Sequence, residues 1–229
     1  MNEKIKINLK KFLNLIKFLI SQIRPEIKSK TIFDIYNEEE KINCYNHFKK
    51  YFKSALFLES KGTRQYAIKN ALRNDPNQDY TYLEFGVYKG ASVNDLSKYV
   101  KKIYAFDSFE GLKEDMLGNT EAIGTFNLNK QIPNLNKNVV PVVGWIQDTL
   151  DNFLEKENPK INFVHIDVDL YQPTLDSLEF FYPRLKKGGI IIVDDYGYTQ
   201  FPGAKKCIDE FLSRNKCDLF YFYAFAAAN

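Results

Sequence analysis

Apolar and polar positions follow two different rhythms in this sequence, and the change comes near residue 75. Before it, apolar residues recur at helical spacing over 1–24 and over about 40–73. A polar break, Asn37-Glu38-Glu39-Glu40, separates the two and reads as a solvated helix start rather than a metal site. After Asp75-Pro76-Asn77 the apolar residues gather into short runs at 80–85, 102–106, 139–143, 161–166 and 189–193. Segments of helical character fill 91–100, 147–156 and 171–185. Strand and helix in alternation predict βαβ units: an α/β, Rossmann-like fold with a mostly parallel sheet and helices on both faces. The unbroken Ile190-Ile191-Ile192-Val193 suits a strand buried on both sides. The expected organisation is a helical extension over 1–75 and an α/β domain over 76–229, without internal repeats. Residues 108–137 carry Gly111, Gly118, Gly124, Pro133 and several asparagines with little periodicity. They read as a lid-like loop, the alternative being an insertion without a role.

In open parallel sheets, ligands bind outside the carboxyl ends of the strands. The residues after each run are therefore the candidate site. The first run leads through Leu83-Glu84-Phe85-Gly86-Val87-Tyr88-Lys89-Gly90-Ala91-Ser92. Gly86 and Gly90 let a ligand approach the backbone just before a helix start. Tyr88 stands where the dinucleotide fingerprint G-x-G-x-x-G needs its second glycine, so this is a different loop. The Glu84 carboxylate suits the ammonium of a methionine moiety and would repel a pyrophosphate. Asp107, which closes the second run, lies 21 residues after Gly86 and is placed to hold ribose hydroxyls. Taken alone it would read as a turn cap. After the third run, Gly144 and Asp148 are placed to border an adenine, with Trp145 between them assignable to the core.

The fourth and fifth runs end in Asp167-Val168-Asp169 and Asp194-Asp195. Neighbouring strands would bring Asp167, Asp194 and Asp195 to one edge, with Asp169 nearby. Carboxylates converging in that way repel unless a cation joins them, and hard oxygen ligands suit Mg²⁺, Ca²⁺ or Mn²⁺. Helix capping is the alternative, for Asp169 above all. His165 precedes Asp167 by two positions and would share its side of the strand. It reads either as a satisfied core histidine or as a second catalytic candidate.

Composition narrows the setting. Of 229 residues, 45% are apolar and 27% charged, which fits a globular chain. A net charge of +3 implies no nucleic-acid partner. Cys44, Cys207 and Cys217 have neither metal-ligand nor redox spacing, and their odd number argues for a reducing, cytoplasmic location. The N-terminal helix mixes Leu9, Phe12, Leu13, Leu15, Ile16 and Leu19 with Lys10, Lys11 and Lys17. Those lysines prevent it from spanning a bilayer, and no signal-peptide cleavage site follows it. The favoured expectation is packing on its own domain or on a sister subunit, giving a homo-oligomer; contact with an anionic membrane surface is the alternative.

The string Tyr82-Leu83-Glu84-Phe85-Gly86-Val87-Tyr88-Lys89-Gly90-Ala91-Ser92, followed by Tyr104-Ala105-Phe106-Asp107-Ser108-Phe109-Glu110-Gly111-Leu112, resembles the macrocin-type O-methyltransferase family. Gly144-Trp145, Asp148-Thr149-Leu150, His165-Ile166-Asp167-Val168-Asp169-Leu170-Tyr171, Asp194-Asp195-Tyr196 and Phe201-Pro202-Gly203-Ala204 extend the match. The resemblance covers about 60–215. It implies a class I S-adenosylmethionine-dependent fold, a sugar hydroxyl as acceptor and Mg²⁺ dependence. By matching, Glu84, Gly86, Ser92, Asp107 and Ser108 would contact the methyl donor. Asp167, Asp194 and Asp195 would hold the metal, with Asp167 as general base. The family's C-terminal strand pair is expected to be incomplete, since 219–223 can form one strand but 226–229 hardly another. The competing expectations are an NAD-dependent sugar-modifying enzyme and a non-catalytic ligand-binding protein on the same fold.

Overall fold

The computed structural model describes residues 3–23, 30–53, 55–197, 202–215 and 223–224, and the chain falls into two compact units, 1–39 and 40–229. The first holds α1 (Glu3–Ile23) and the opening of α2 (Ile32–Phe48). The start of α2 is set by a reciprocal cap. The Thr31 N–H donates to Asp34 Oδ2 at 2.8 Å, and the Asp34 N–H donates to Thr31 Oγ1 at 3.2 Å. Because the cap lies upstream of the acidic run, Asn37 to Glu40 fall inside the helix and not at its start.

The second unit contains β1 (Phe57–Leu58), α3 (Ser60–Arg73), β2 (Thr81–Phe85), α4 (Ala91–Leu96), β3 (Ile103–Asp107) and β4 (Val139–Val143). It continues with α5 (Ile146–Glu157), β5 (Ile161–Ile166), α6 (Tyr171–Phe181), β6 (Leu185–Val193), α7 (Pro202–Arg214) and β7 (Tyr223–Ala224). The single helix expected over 40–73 is thus two. α2 stops at Phe48, where the chain turns back so that Tyr51, Phe52 and Ala55 pack on buried Cys44 and Phe48.

Strands β2 to β6 form one parallel sheet in the order β4-β3-β2-β5-β6. Alternation along each strand divides the core between the two faces. Leu83, Phe85 and Phe106 join Phe153, Phe181 and Phe211 from α5, α6 and α7. Tyr82, Ala105 and Phe163 join Ala67, Ile68 and Leu96 from α3 and α4. Helices therefore cover both faces, as the pattern predicted. The order reverses between β2 and β5, where such sheets open a crevice at the strand carboxyl ends.

Two boundaries differ from the expectation. α6 ends at Phe181 and not near 185, because Pro183 lacks an N–H and crowds the preceding turn. β6 then begins at Leu185, ahead of the apolar run. Its ladder with β5 jumps from Ile161–Leu185 to Phe163–Ile190, and Gly188 with φ +80° supplies the left-handed backbone of that irregularity. Of the strand expected over 219–223, residues 219–222 lie outside the described residues; Tyr223 pairs with Phe57 in a two-residue parallel bridge.

Candidate active site

A cavity of about 420 Å³ opens at the carboxyl ends of β2, β3 and β5. Its lining includes Gly86, Tyr88, Asp107, Ser108, Asp167 and Asp169, so residues from three strand ends meet there. Trp145 and Gln147 after β4, and Gln172 and Pro173 at the start of α6, complete the lower wall. The 108–137 segment contributes Gly111, Leu112, Lys113, Glu114 and Phe126. It is an internally bonded excursion: the Leu112 N–H donates to the Thr125 carbonyl at 2.8 Å and the Gly124 N–H to Leu112 at 2.9 Å. Leu112 and Met116 are buried with Leu170, which ties the excursion to the start of α6.

Asp107 organises the loops that follow β2 and β3. Its Oδ2 accepts the N–H groups of Val87 and Tyr88, both at 2.8 Å, and its Oδ1 accepts the Phe109 N–H at 2.7 Å. One carboxylate thus holds the loop after β2 and the turn after β3 together. Tyr88, at φ +47°, is in a conformation that a bulky residue adopts only under constraint. Its ring meets Phe126 edge-on at 5.3 Å.

Glu84 and Ser92 are not part of the cavity wall. Glu84 is fully buried, accepts the Ser92 hydroxyl at 2.6 Å and faces His165 Nδ1 at 3.3 Å. Nor do Gly144 and Asp148 line the cavity, although the residues between them do. Gly144 donates its N–H to the Asp107 carbonyl at 3.0 Å and takes φ +142°, while Asp148 sits exposed on the first turn of α5.

The acidic residues form two overlapping groups. Oxygens of Asp167, Asp169 and Asp195 lie within 4.8 Å of one another, and so do atoms of His165, Asp167 and Asp194. Asp195 Oδ2 accepts the Asp169 N–H at 3.0 Å, which fixes the left-handed turn at Asp169, φ +61°. Burial and the neighbouring Asp194 charge push Asp167 up to about 7. The same two causes raise Asp169 to about 6, and burial together with Asp167 raises Asp195 well above the carboxylate range. Asp194 behaves oppositely. Burial opposes its ionisation, but His165 and Arg64 hold it below the ordinary range. The Arg64 guanidinium lies 3.5 Å and His165 Nε2 3.6 Å from Asp194 Oδ1.

His165 is fully buried and outside the cavity wall. Burial alone would lower its pKa, yet Asp194 and Glu84 on its two sides raise it. Its two ring nitrogens thus face carboxylates on opposite sides, Glu84 on β2 and Asp194 after β6. Arg64, on α3, carried no sequence signal, since 130 positions separate it from Asp194. Phe126 and Lys113 were equally hidden, one among asparagines and the other in a charged stretch; Lys113 Nζ lies over the Trp145 ring at 5.2 Å.

Comparisons with known proteins bear on the family and the fold. An uncharacterized protein of Acanthamoeba polyphaga mimivirus is 26% identical over 168 residues, 70% of this chain and 71% of that one. The 8-demethyl-8-(2,3-dimethoxy-alpha-L-rhamnosyl)-tetracenomycin-C 4'-O-methyltransferase of Streptomyces olivaceus is 27% identical over 156 residues, 58% of each chain. The chain thus spans little more than half the length of that enzyme. A calicheamicin methyltransferase has the same fold, with a TM-score of 0.55 at 18% identity over 80% of this chain and 86% of its own. Residues 65–219, which contain every cavity residue named above, match the macrocin-O-methyltransferase (TylF) family. The NAD-dependent reading gives way to that match, and the chain belongs to the macrocin-O-methyltransferase family of S-adenosylmethionine-dependent enzymes.

Proposed function

We propose that this chain transfers the methyl group of S-adenosylmethionine to a hydroxyl of a sugar or glycosylated acceptor, such as a surface polysaccharide or a secondary metabolite, with a divalent cation assisting. One observation carries the reading: the Gly86 loop, Asp107, Ser108 and the carboxylates of Asp167 and Asp169 line one continuous cavity. A sulfonium donor and an ionisable acceptor hydroxyl can meet there without crossing a wall. Gly86, Tyr88, Asp107 and Ser108 would form the donor side, with Trp145 and Gln147 toward the adenine. Glu84 and Ser92 would act from behind the loop as positioning residues, and Gly144 would do so through its bond to Asp107.

Asp167, Asp169 and Asp195 fit a hard divalent cation such as Mg²⁺. Their donors are all oxygens, they lie within 4.8 Å of one another, and among the described residues no lysine or arginine pairs with them. Asp194, expected as a ligand from the sequence, is close to Asp167 but already faces Arg64 and His165. A cation held there would lower the pKa of a neighbouring hydroxyl. Asp167, which lines the cavity, would accept the proton as the acceptor oxygen bonds the methyl carbon and the sulfur–carbon bond breaks. His165 reaches no substrate and would serve by holding Asp194 and Glu84 in place. Cys44 and Cys207 are free and buried, in keeping with a reducing, cytoplasmic setting.

Transfer of labelled methyl from S-adenosylmethionine to a panel of glycosides tests the reading, with S-adenosylhomocysteine binding measured alongside. Binding together with methylation of at least one sugar hydroxyl is expected. Failure to bind S-adenosylhomocysteine ends the reading.

A further inference from the structure

The helix α1 carries chemistry that methyl transfer does not use. Leu9, Phe12, Leu13, Leu15 and Leu19 are each between 48% and 58% exposed. At about 3.6 residues per turn, these five and Ile16 form one stripe along the helix, while Phe18, 59% exposed, lies outside it beyond Lys11. Lys10 and Lys17 fall along one border of the stripe and Lys11 along the other, with none inside it. In that arrangement the lysine stems can lie along the apolar surface while their ammonium groups reach outward.

Charge is segregated in the same sense. The first 30 residues hold eight lysines and arginines against two acidic residues, a net of +6. The rest of the chain holds 24 basic and 27 acidic residues, a net of −3. An anionic surface would therefore attract this segment and weakly repel the remainder. The helix cannot cross a bilayer: among the described residues, no helix is long and apolar enough.

We infer that α1 lies in the plane of an anionic lipid surface, with its leucine and phenylalanine stripe in the headgroup–acyl boundary and its lysines on the headgroups. A second copy of the chain is the other surface to weigh, because α2 is acidic at Asp34, Glu38, Glu39 and Glu40. The exposed apolar residues of α2, however, form no matching stripe. Ile32, Phe33, Ile35, Tyr36, Ile42 and Tyr45 spread over more than half its circumference at the helical spacing of about 100° per residue. The inference does not depend on the methyltransferase reading.

Flotation of the full chain with vesicles tests it, using phosphatidylcholine alone and phosphatidylcholine mixed with phosphatidylglycerol. Binding to the anionic vesicles should exceed binding to the neutral ones by roughly tenfold at low salt and fall as salt rises. The variant K10E/K11E/K17E should lose that preference. Phe12→Ser combined with Leu13→Ser, which keeps every charge, should lose most of the binding. Both variants should bind S-adenosylhomocysteine as the parent does, since neither changes a residue that lines the cavity. Equal binding to both vesicle types overturns the inference, and so does wild-type binding by the serine variant. It is overturned as well if the protein ignores vesicles, whether as a monomer or as a dimer that the serine variant disperses; in the second case the occupant is another copy.

Discussion

A Cβ added to Gly86 would lie 1.6 Å from the carbonyl oxygen of Asp167. The Gly86 loop and the acidic end of β5 are therefore in backbone contact, and the Asp167 N–H reinforces the contact by donating to the Phe85 carbonyl at 2.8 Å. Gly86 also has φ +81°, which disfavours any side chain. Gly86→Ala must force the two backbones apart. Since a displacement of about 1 Å can cost roughly 100-fold in rate, turnover should fall at least that far. Single-turnover kinetics on folded variant would show it, and near-normal turnover would remove this contact from the mechanism.

Asp107 holds three backbone N–H groups. Asp107→Ala should release both loops, lowering stability by about 2–3 kcal/mol and weakening S-adenosylhomocysteine binding by at least tenfold, on the scale of bonds to a charged group. Denaturant titration and calorimetry measure the two effects separately. Unchanged affinity would mean that Asp107 serves structure alone.

Metal removal should abolish activity, and Mg²⁺ should restore it. Asp195→Asn should raise the Mg²⁺ concentration needed while leaving the rate at saturation largely intact. Asp167→Asn also removes the proposed proton acceptor, so excess Mg²⁺ should not rescue it. Full turnover in excess chelator would show the metal assignment to be wrong.

His165→Leu should leave the buried Glu84 and the largely buried Asp194 without their shared partner. Breaking a buried pair in this way costs about 3–5 kcal/mol. Urea unfolding should register that loss. If His165 were instead the proton acceptor, His165→Asn would abolish turnover with little change in stability or donor affinity.

Burial pushes the Cys207 thiol up to about 12. At pH 9 it should stay protonated in the native protein and resist iodoacetamide until the chain unfolds, as peptide mass spectrometry can follow. Because its pKa is raised on folding, the stability it contributes is present below the free-thiol pKa and lost as pH climbs toward 12. Rapid native alkylation of Cys207 at pH 8 would contradict its burial.

Most of the sheet was legible in the sequence because parallel strands buried on both faces must be apolar throughout, and Ile161 to Ile166 and Ile190 to Val193 are apolar but for Asn162 and His165. Gly86, Tyr88, Asp107, Ser108 and Asp167 were legible for a related reason: each lies at, or within three residues of, the carboxyl end of a strand, so local order fixes its place at the sheet edge. Helix limits were less legible. The Thr31–Asp34 cap outweighed the acidic run after it, and Pro183 outweighed the apolar pattern of α6.

Chain order alone determined the α/β alternation, the side of the sheet that carries the site and the acidic character of the ends of β5 and β6. Tertiary structure decided which side chains face the cavity and which face each other. Glu84 and His165 sit in strands whose neighbours close over them, so they pair with each other instead of opening to a ligand. Arg64 reaches Asp194 from α3, and Phe126 reaches Tyr88 from the 108–137 excursion. Such contacts depend on distances through space between residues far apart in the chain, and no local pattern of hydrophobicity or charge encodes them.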